Sequence, residues 1–257
     1  MPQMMTQELP VSSAPMVLQG MAQALPLRGL TILAVEDSRY ASEALRLMCQ
    51  RLGARLRRAE TLMAAKSHLR LYRPDVVLVD LGLPDGRGEG LIREMVLRTP
   101  RHHVVLGMSG DAAGRASALS AGADGFVEKP LESLSSFLAT LVHHLPQQAV
   151  AGGLAFAGSG LAPLDYGTAD AAAEVPLRPD RLALRDDLSH AAEVIAAGPT
   201  EETQRYLAAF MGGVARHAHD PDLAAAADEA RGGRLDPLQR LIASRLDHGD
   251  GFLGADR

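Results

Sequence analysis

Four short apolar runs in the first half of the chain each end in, or run almost directly into, a polar residue with useful chemistry. Glu36-Asp37 follows Thr31 to Val35, Asp80 follows Val76 to Val79, Ser109 follows Val104 to Met108, and Lys129 stands just past Gly125 to Val127. If these runs are parallel strands, their ends share one edge of one sheet. Open α/β sheets bind ligands in the crevice outside that edge, most often where the strand order reverses. Three carboxylates converging there repel one another and resist ionisation unless a cation joins them. Oxygen donors and a hard, partly hydrated ion point to Mg²⁺ or Mn²⁺, with Asp37 and Asp80 as direct ligands and the longer Glu36 acting through a water. Taken singly, an acid after an apolar strand is ordinarily a solvated turn or a helix cap. Four such residues at four strand ends reverse that preference. Lys129 and Lys66 are the only lysines beside 24 arginines, so a lysine kept at this position points to a specific role.

The elements that must position these groups are legible from Leu30 to Leu145, where β-branched or apolar runs alternate with helical periodicity in the manner of parallel β-α units. Five strands are expected: Thr31 to Val35, Arg55 to Ala59, Val76 to Val79, Val104 to Met108 and Gly125 to Val127. The first helix, from about Ser38 to Leu52, sets Ala41, Leu45, Met48 and Leu52 on one stripe, and Gly53 stops it. The last, from about Leu131 to Leu145, repeats the pattern with Leu134, Leu138, Leu141 and Leu145. Right-handed crossovers then place helices on both faces of a buried sheet.

The remainder divides into three. Residues 1–27 contain no Lys or Arg and are interrupted by Pro10, Pro15 and Pro26, so the segment lacks the charged head and apolar run of a signal peptide and reads as a disordered tail. Residues 28–146 hold the α/β unit, and 147–178, rich in Ala, Gly and Pro, read as a flexible linker. From 179 to 257 a small all-α unit of about four helices is expected. Leu184, Leu188, Ala191 and Ile195 align on one helix, Leu207, Phe210, Met211 and Val214 on the next, and Asp220-Pro221 and Asp236-Pro237 start two more. Such a unit has a marginal core of its own, which predicts that it docks on something.

Composition bounds the function. A 47% hydrophobic and 22% charged chain of 257 residues is that of a soluble globular protein, and no apolar run approaches the length that spans a bilayer. The single Cys49 fits a reducing, cytoplasmic setting. Net charge of −5, and ten arginines against fourteen acids after residue 175, argue against a nucleic-acid partner.

The stretch from Leu30 to about Leu145 resembles the response-regulator receiver domain of two-component signalling. The matching segments are Ile32 to Ser38 around the acidic pair, Val76 to Gly86 for the phosphoacceptor strand and loop, and Met108-Ser109-Gly110 for the switch hydroxyl. Ala121-Gly122-Ala123 matches the turn before the last strand, and Phe126 to Pro130 the aromatic and Lys-Pro signature. The set in this order is far more specific than any one motif. The resemblance implies a flavodoxin-like sheet in the order 2-1-3-4-5 and a phosphoryl group taken by Asp80 from a phosphohistidine on a histidine kinase or histidine phosphotransfer protein. Lys129 and the metal would neutralise the transferred charge, the Gly82 backbone carbonyl would be a third metal ligand, and the bond before Pro130 is a cis candidate. Ser109 would be drawn to the phosphoryl group and Phe126 would rotate inward, though Phe126 reads equally well as a plain core aromatic. Ser109 and Phe126 stand where threonine and tyrosine are commoner, and Phe126 has no hydroxyl to couple.

The resemblance further implies self-catalysed phosphoryl acceptance and no other enzymatic activity. The first functional expectation is a phosphorylation-controlled regulator acting through protein contacts, with an unnamed downstream partner and a homodimer left open. A DNA-binding transcription regulator with an atypical C-terminal unit and a phosphorelay shuttle are the alternatives. His143-His144, His217 and His219 read as cations at helix C-termini, and Gly158-Ser159-Gly160 as linker.

Overall fold

The computed structural model of the chain describes residues 25–97, 103–131, 133–146 and 180–247. The expected linker and residues 1–24 of the expected tail lie outside them. Leu27 does not: it is buried in the core and its N–H donates to the Leu52 carbonyl at 2.9 Å, so the packed unit begins before the boundary expected there.

The order is β1 (Thr31–Val35), α1 (Arg39–Leu52), β2 (Arg55–Ala59), α2 (Leu62–Leu71), β3 (Val76–Asp80), a two-residue hairpin of β4 (Gly82–Leu83) and β5 (Gly86–Arg87), α3 (Gly88–Val96), β6 (Val104–Ser109), α4 (Gly114–Ser120), β7 (Gly125–Glu128) and α5 (Leu134–His144). Four helices follow: α6 (Arg181–Ala196), α7 (Glu201–Ala218), α8 (Pro221–Arg231) and α9 (Asp236–Asp247). The main sheet is parallel throughout in the order β2-β1-β3-β6-β7, which is the expected 2-1-3-4-5 once the hairpin is set aside. The hairpin was not foreseen; it forms because the chain must reverse between Asp80 and α3.

Side chains alternate across a strand, so each central strand feeds two cores. Ile32, Val76, Leu78, Leu106 and Met108 pack with Leu45, Met48, Phe137 and Leu141 under α1 and α5. Leu33, Val77, Val79 and Val105 pack with Ala65, Leu91, Ile92 and Ala118 under α2, α3 and α4. Each such leucine or isoleucine taken from water stabilises the fold by roughly 1.5–3 kcal/mol. Cys49 lies in the first core, where burial pushes its thiol up to about 12, so it is inert as a nucleophile.

The helical unit has a third core of Leu184, Leu188, Ile195, Leu207, Phe210, Met211, Val214, Leu223 and Leu238, and Tyr40 of α1 packs in it. Its docking partner is the α/β unit of the same chain. Asp187 of α6 sits at the N-terminus of α1, accepting from Ser38 Oγ at 2.8 Å, Arg39 N at 2.8 Å and Tyr40 N at 3.0 Å. Ser38 Oγ in turn accepts from Ala41 N at 3.0 Å as the helix cap, so one carboxylate completes the satisfaction of the first turn of α1. Burial raises the Asp187 carboxyl and these N–H and O–H donors oppose the rise.

Candidate functional site

The strand ends converge as the spacing requires. β3 ends on Asp80 and β6 on Ser109, while Glu36-Asp37 and Lys129 lie just beyond β1 and β7. One carboxylate oxygen from each of Glu36, Asp37 and Asp80 lies within 4.8 Å of the others. Lys129 Nζ reaches Asp80 Oδ2 at 2.7 Å and Glu36 Oε2 at 2.5 Å, and all three groups are buried. The other Asp80 oxygen accepts from Gly82 N at 3.2 Å. Close approach forces a glycine at the start of α3: a Cβ on Gly88 would lie 2.0 Å from the Asp80 carbonyl oxygen. The Lys129-Pro130 bond is cis.

One ammonium serves three acids, and the electrostatics record the shortfall. Burial, then Glu36 and Asp80, push the Asp37 carboxyl up to about 8 against the opposing pull of Tyr206 and Lys129. Burial raises Asp80 too, with Lys129 opposing. Burial alone would lower Lys129, yet Asp80 and Glu36 outweigh it and hold the ammonium above its ordinary value. A cluster of hard oxygen donors short of positive charge fits a divalent cation.

Ser109 lines the same cleft, with its Oγ accepting from Asp111 N at 3.0 Å. Phe126 is only 6% exposed and lies under the Arg115 guanidinium, 5.2 Å from the ring centroid.

The helical unit supplies a wall that the strand-end pattern did not announce. A cleft of about 530 Å³ over Asp80 is lined by Glu36, Asp37, Ser109 and Lys129 on one side, and by Phe210, Val214, Arg216 and His217 of α7 on the other. Tyr206 Oη donates to Asp37 Oδ2 at 2.5 Å. His217 is not the exposed cation expected at a helix end. Burial, then Lys129, lowers it to about 4, and its Nε2 accepts from Leu131 N at 3.4 Å, so it is neutral. A signal for these residues was present. Asp187 lies three after Leu184 on the apolar stripe of α6, and Tyr206, Phe210 and His217 share one face of α7, so polar groups interrupt faces that should be apolar.

Residues 32–139 match the family model described as the response regulator receiver domain. The KDP operon transcriptional regulatory protein KdpE of Escherichia coli is 34% identical over 99 residues, 38% of this chain and 44% of that protein. The transcriptional regulatory protein KdpE of Mycobacterium tuberculosis is 33% identical over 110 residues, 43% of this chain and 48% of that protein. The chain therefore spans about half the length of these relatives. A putative response regulator from Chloroflexus aurantiacus, solved by crystallography, is 24% identical, covers 48% of this chain and 98% of its own, and superposes with a TM-score of 0.42. No described helix is long and apolar enough to cross a membrane. With the parallel sheet, the acidic cluster and the family match in agreement, residues 32–139 form a response regulator receiver domain, and α6 to α9 lie beyond the matched segment.

Proposed function

We propose that the chain is a phosphorylation-dependent response regulator in which Asp80 accepts a phosphoryl group from a phosphohistidine donor, a histidine kinase or a histidine phosphotransfer protein. The observation that carries the reading is the Lys129 ammonium bridging Asp80 and Glu36 inside a cluster of three converging acids. A carboxylate oxygen of Asp80 attacks phosphorus, the P–N bond breaks, and the imidazole of the donor leaves. Lys129 meets the charge on the transferring oxygens as a point charge on a flexible stem. Glu36, Asp37 and Asp80, with the Gly82 carbonyl, would hold Mg²⁺ or Mn²⁺. Bound there, the ion supplies electrostatic stabilisation of the phosphoryl oxygens. Ser109, at the end of the strand beside β3 and on the wall of the same cleft, is the hydroxyl placed to follow the new charge, at the cost of its bond from Asp111 N.

Output through protein contact is the reading favoured by the net acidic helical unit, whose ten arginines face fourteen acids after residue 175. The relatives are named transcriptional regulatory proteins, which favours DNA as a second output. Incubation with acetyl phosphate and Mg²⁺, followed by intact mass, should add one phosphoryl group to the wild type and none to Asp80→Asn. An unmodified wild type overturns the acceptor reading. A salt titration with nonspecific DNA separates the outputs, since tight, steeply salt-dependent binding would favour the second.

A further inference from the structure

The cleft over Asp80 has an arginine wall that comes from outside the receiver domain. Arg216, on the last turn of α7, lays its guanidinium against Gly110, the residue after Ser109. A Cβ built on Gly110 would fall 2.4 Å from Arg216 Nη2 and 2.8 Å from its Nε, so the guanidinium fills the space that the missing side chain leaves. The Nε is buried and has no hydrogen-bond partner among the described residues. Arg231, at the end of α8, lines the same cleft. A Cβ on Gly212 would be 3.6 Å from Nη1 of Arg216 and 3.6 Å from Nη2 of Arg231, which brings two like charges to one small region. Asp228 pairs with Arg231 at 3.0 Å, and the nearby acids acting on Arg216 are Asp228, Asp111 and Asp80. Two adjacent guanidiniums and a buried, unpaired donor are costly unless an anion with several oxygens joins them.

We infer that Arg216, donated by the helical unit and flanked by Arg231, is a ligand for the phosphoryl group carried by Asp80. The unit is then the first reader of the modification. Every contact Arg216 makes to the phosphoryl oxygens tightens the docking of α6 and α7 on the receiver, because a ligand that spans two bodies couples them reciprocally. This rests on Asp80 being the acceptor, and it adds a binding residue, and a regulated surface, to that reading.

Beryllofluoride with saturating Mg²⁺ serves as a stable phosphoryl mimic on the full chain, with bound fluoride read by ¹⁹F NMR and docking by hydrogen exchange at the Arg39 and Tyr40 amides. Wild type should bind the mimic and slow exchange at those amides. Arg216→Ala should bind it about tenfold or more weakly, the loss of one charge-assisted contact. Gly110→Ala should do the same with the α7 sequence intact, because its methyl takes the place of the guanidinium, a flexible group that can swing away. Wild-type affinity in both variants overturns the inference while leaving Asp80 as acceptor. Should Arg216→Ala weaken binding only by undocking the unit, seen as fast exchange before the mimic is added, wild-type affinity in Gly110→Ala overturns it. No binding by wild type, or equal binding by Asp80→Asn, overturns both readings.

Discussion

Tyr206 Oη and Asp37 Oδ2 are joined at 2.5 Å across 169 positions of sequence, and the carboxylate that the phenol binds belongs to the acidic cluster. A divalent ion and the phenol therefore compete for one carboxylate. Tyr206→Phe keeps the ring packed on Phe210 and removes only the competing donor. Mn²⁺ affinity, measured by electron paramagnetic resonance, should rise by about tenfold, the worth of one hydrogen bond to a charged group. An unchanged or weaker affinity would show that the phenol and the ion do not compete.

Asp187 anchors the helical unit by accepting from the hydroxyl of Ser38 and the amides of Arg39 and Tyr40. Asp187→Ala leaves these donors at the first turn of α1 without their acceptor and should weaken docking by roughly 2–4 kcal/mol, as removal of a buried, multiply bonded carboxylate does. Exchange of the Arg39 and Tyr40 amides should speed up by more than tenfold. Protection equal to wild type would place the anchor elsewhere.

Lys129→Ala leaves Asp80 and Glu36 buried without their cation. The variant should lose about 3–5 kcal/mol in urea unfolding without divalent ions, and added Mg²⁺ should restore part of it by returning positive charge to the cluster. A loss that Mg²⁺ leaves untouched would argue that packing of the lysine stem, and not its charge, is what matters.

His217 supplies a pH dependence with a definite sign. Its folded value, about 4, lies below the ordinary 6.5, so the unfolded chain takes up the proton first as pH falls. The stability it contributes is whole above about 6.5 and is lost progressively down to about 4, in all roughly 3 kcal/mol from a shift of this size. His217→Gln should flatten that part of the stability profile relative to wild type, as followed by urea unfolding at pH 7, 6, 5 and 4.5. Parallel profiles would mean that burial leaves the His217 pKa unshifted on folding.

The receiver half was readable because parallel strands buried on both faces leave long apolar runs, and because side chains at their carboxyl ends have one place to go. Glu36, Asp37, Asp80, Ser109 and Lys129 meet as their strand-end positions required. The wall opposite was not readable in the same way, since nothing in the spacing of Tyr206 or Arg216 says which surface α7 will cover. The cue that did exist was chemical. Asp187 on an apolar stripe and a tyrosine and a histidine on the face of Phe210 mark helices built to meet polar groups, and reading His217 by its helix-end position alone missed that. Leu27 escaped notice for the opposite reason, as a lone leucine between Pro26 and Arg28 carries no period.

Formation of an acyl phosphate on Asp80 can be trapped chemically. Treating the phosphodonor-incubated chain with borohydride, which reduces an acyl phosphate to the alcohol, and mapping the peptides by mass spectrometry identifies the modified residue directly. Homoserine is expected at position 80 in place of Asp80 and at no other acid. Reduction at Asp37 or Glu36, or a phosphoryl group retained on His217 with Asp80 intact, would contradict it.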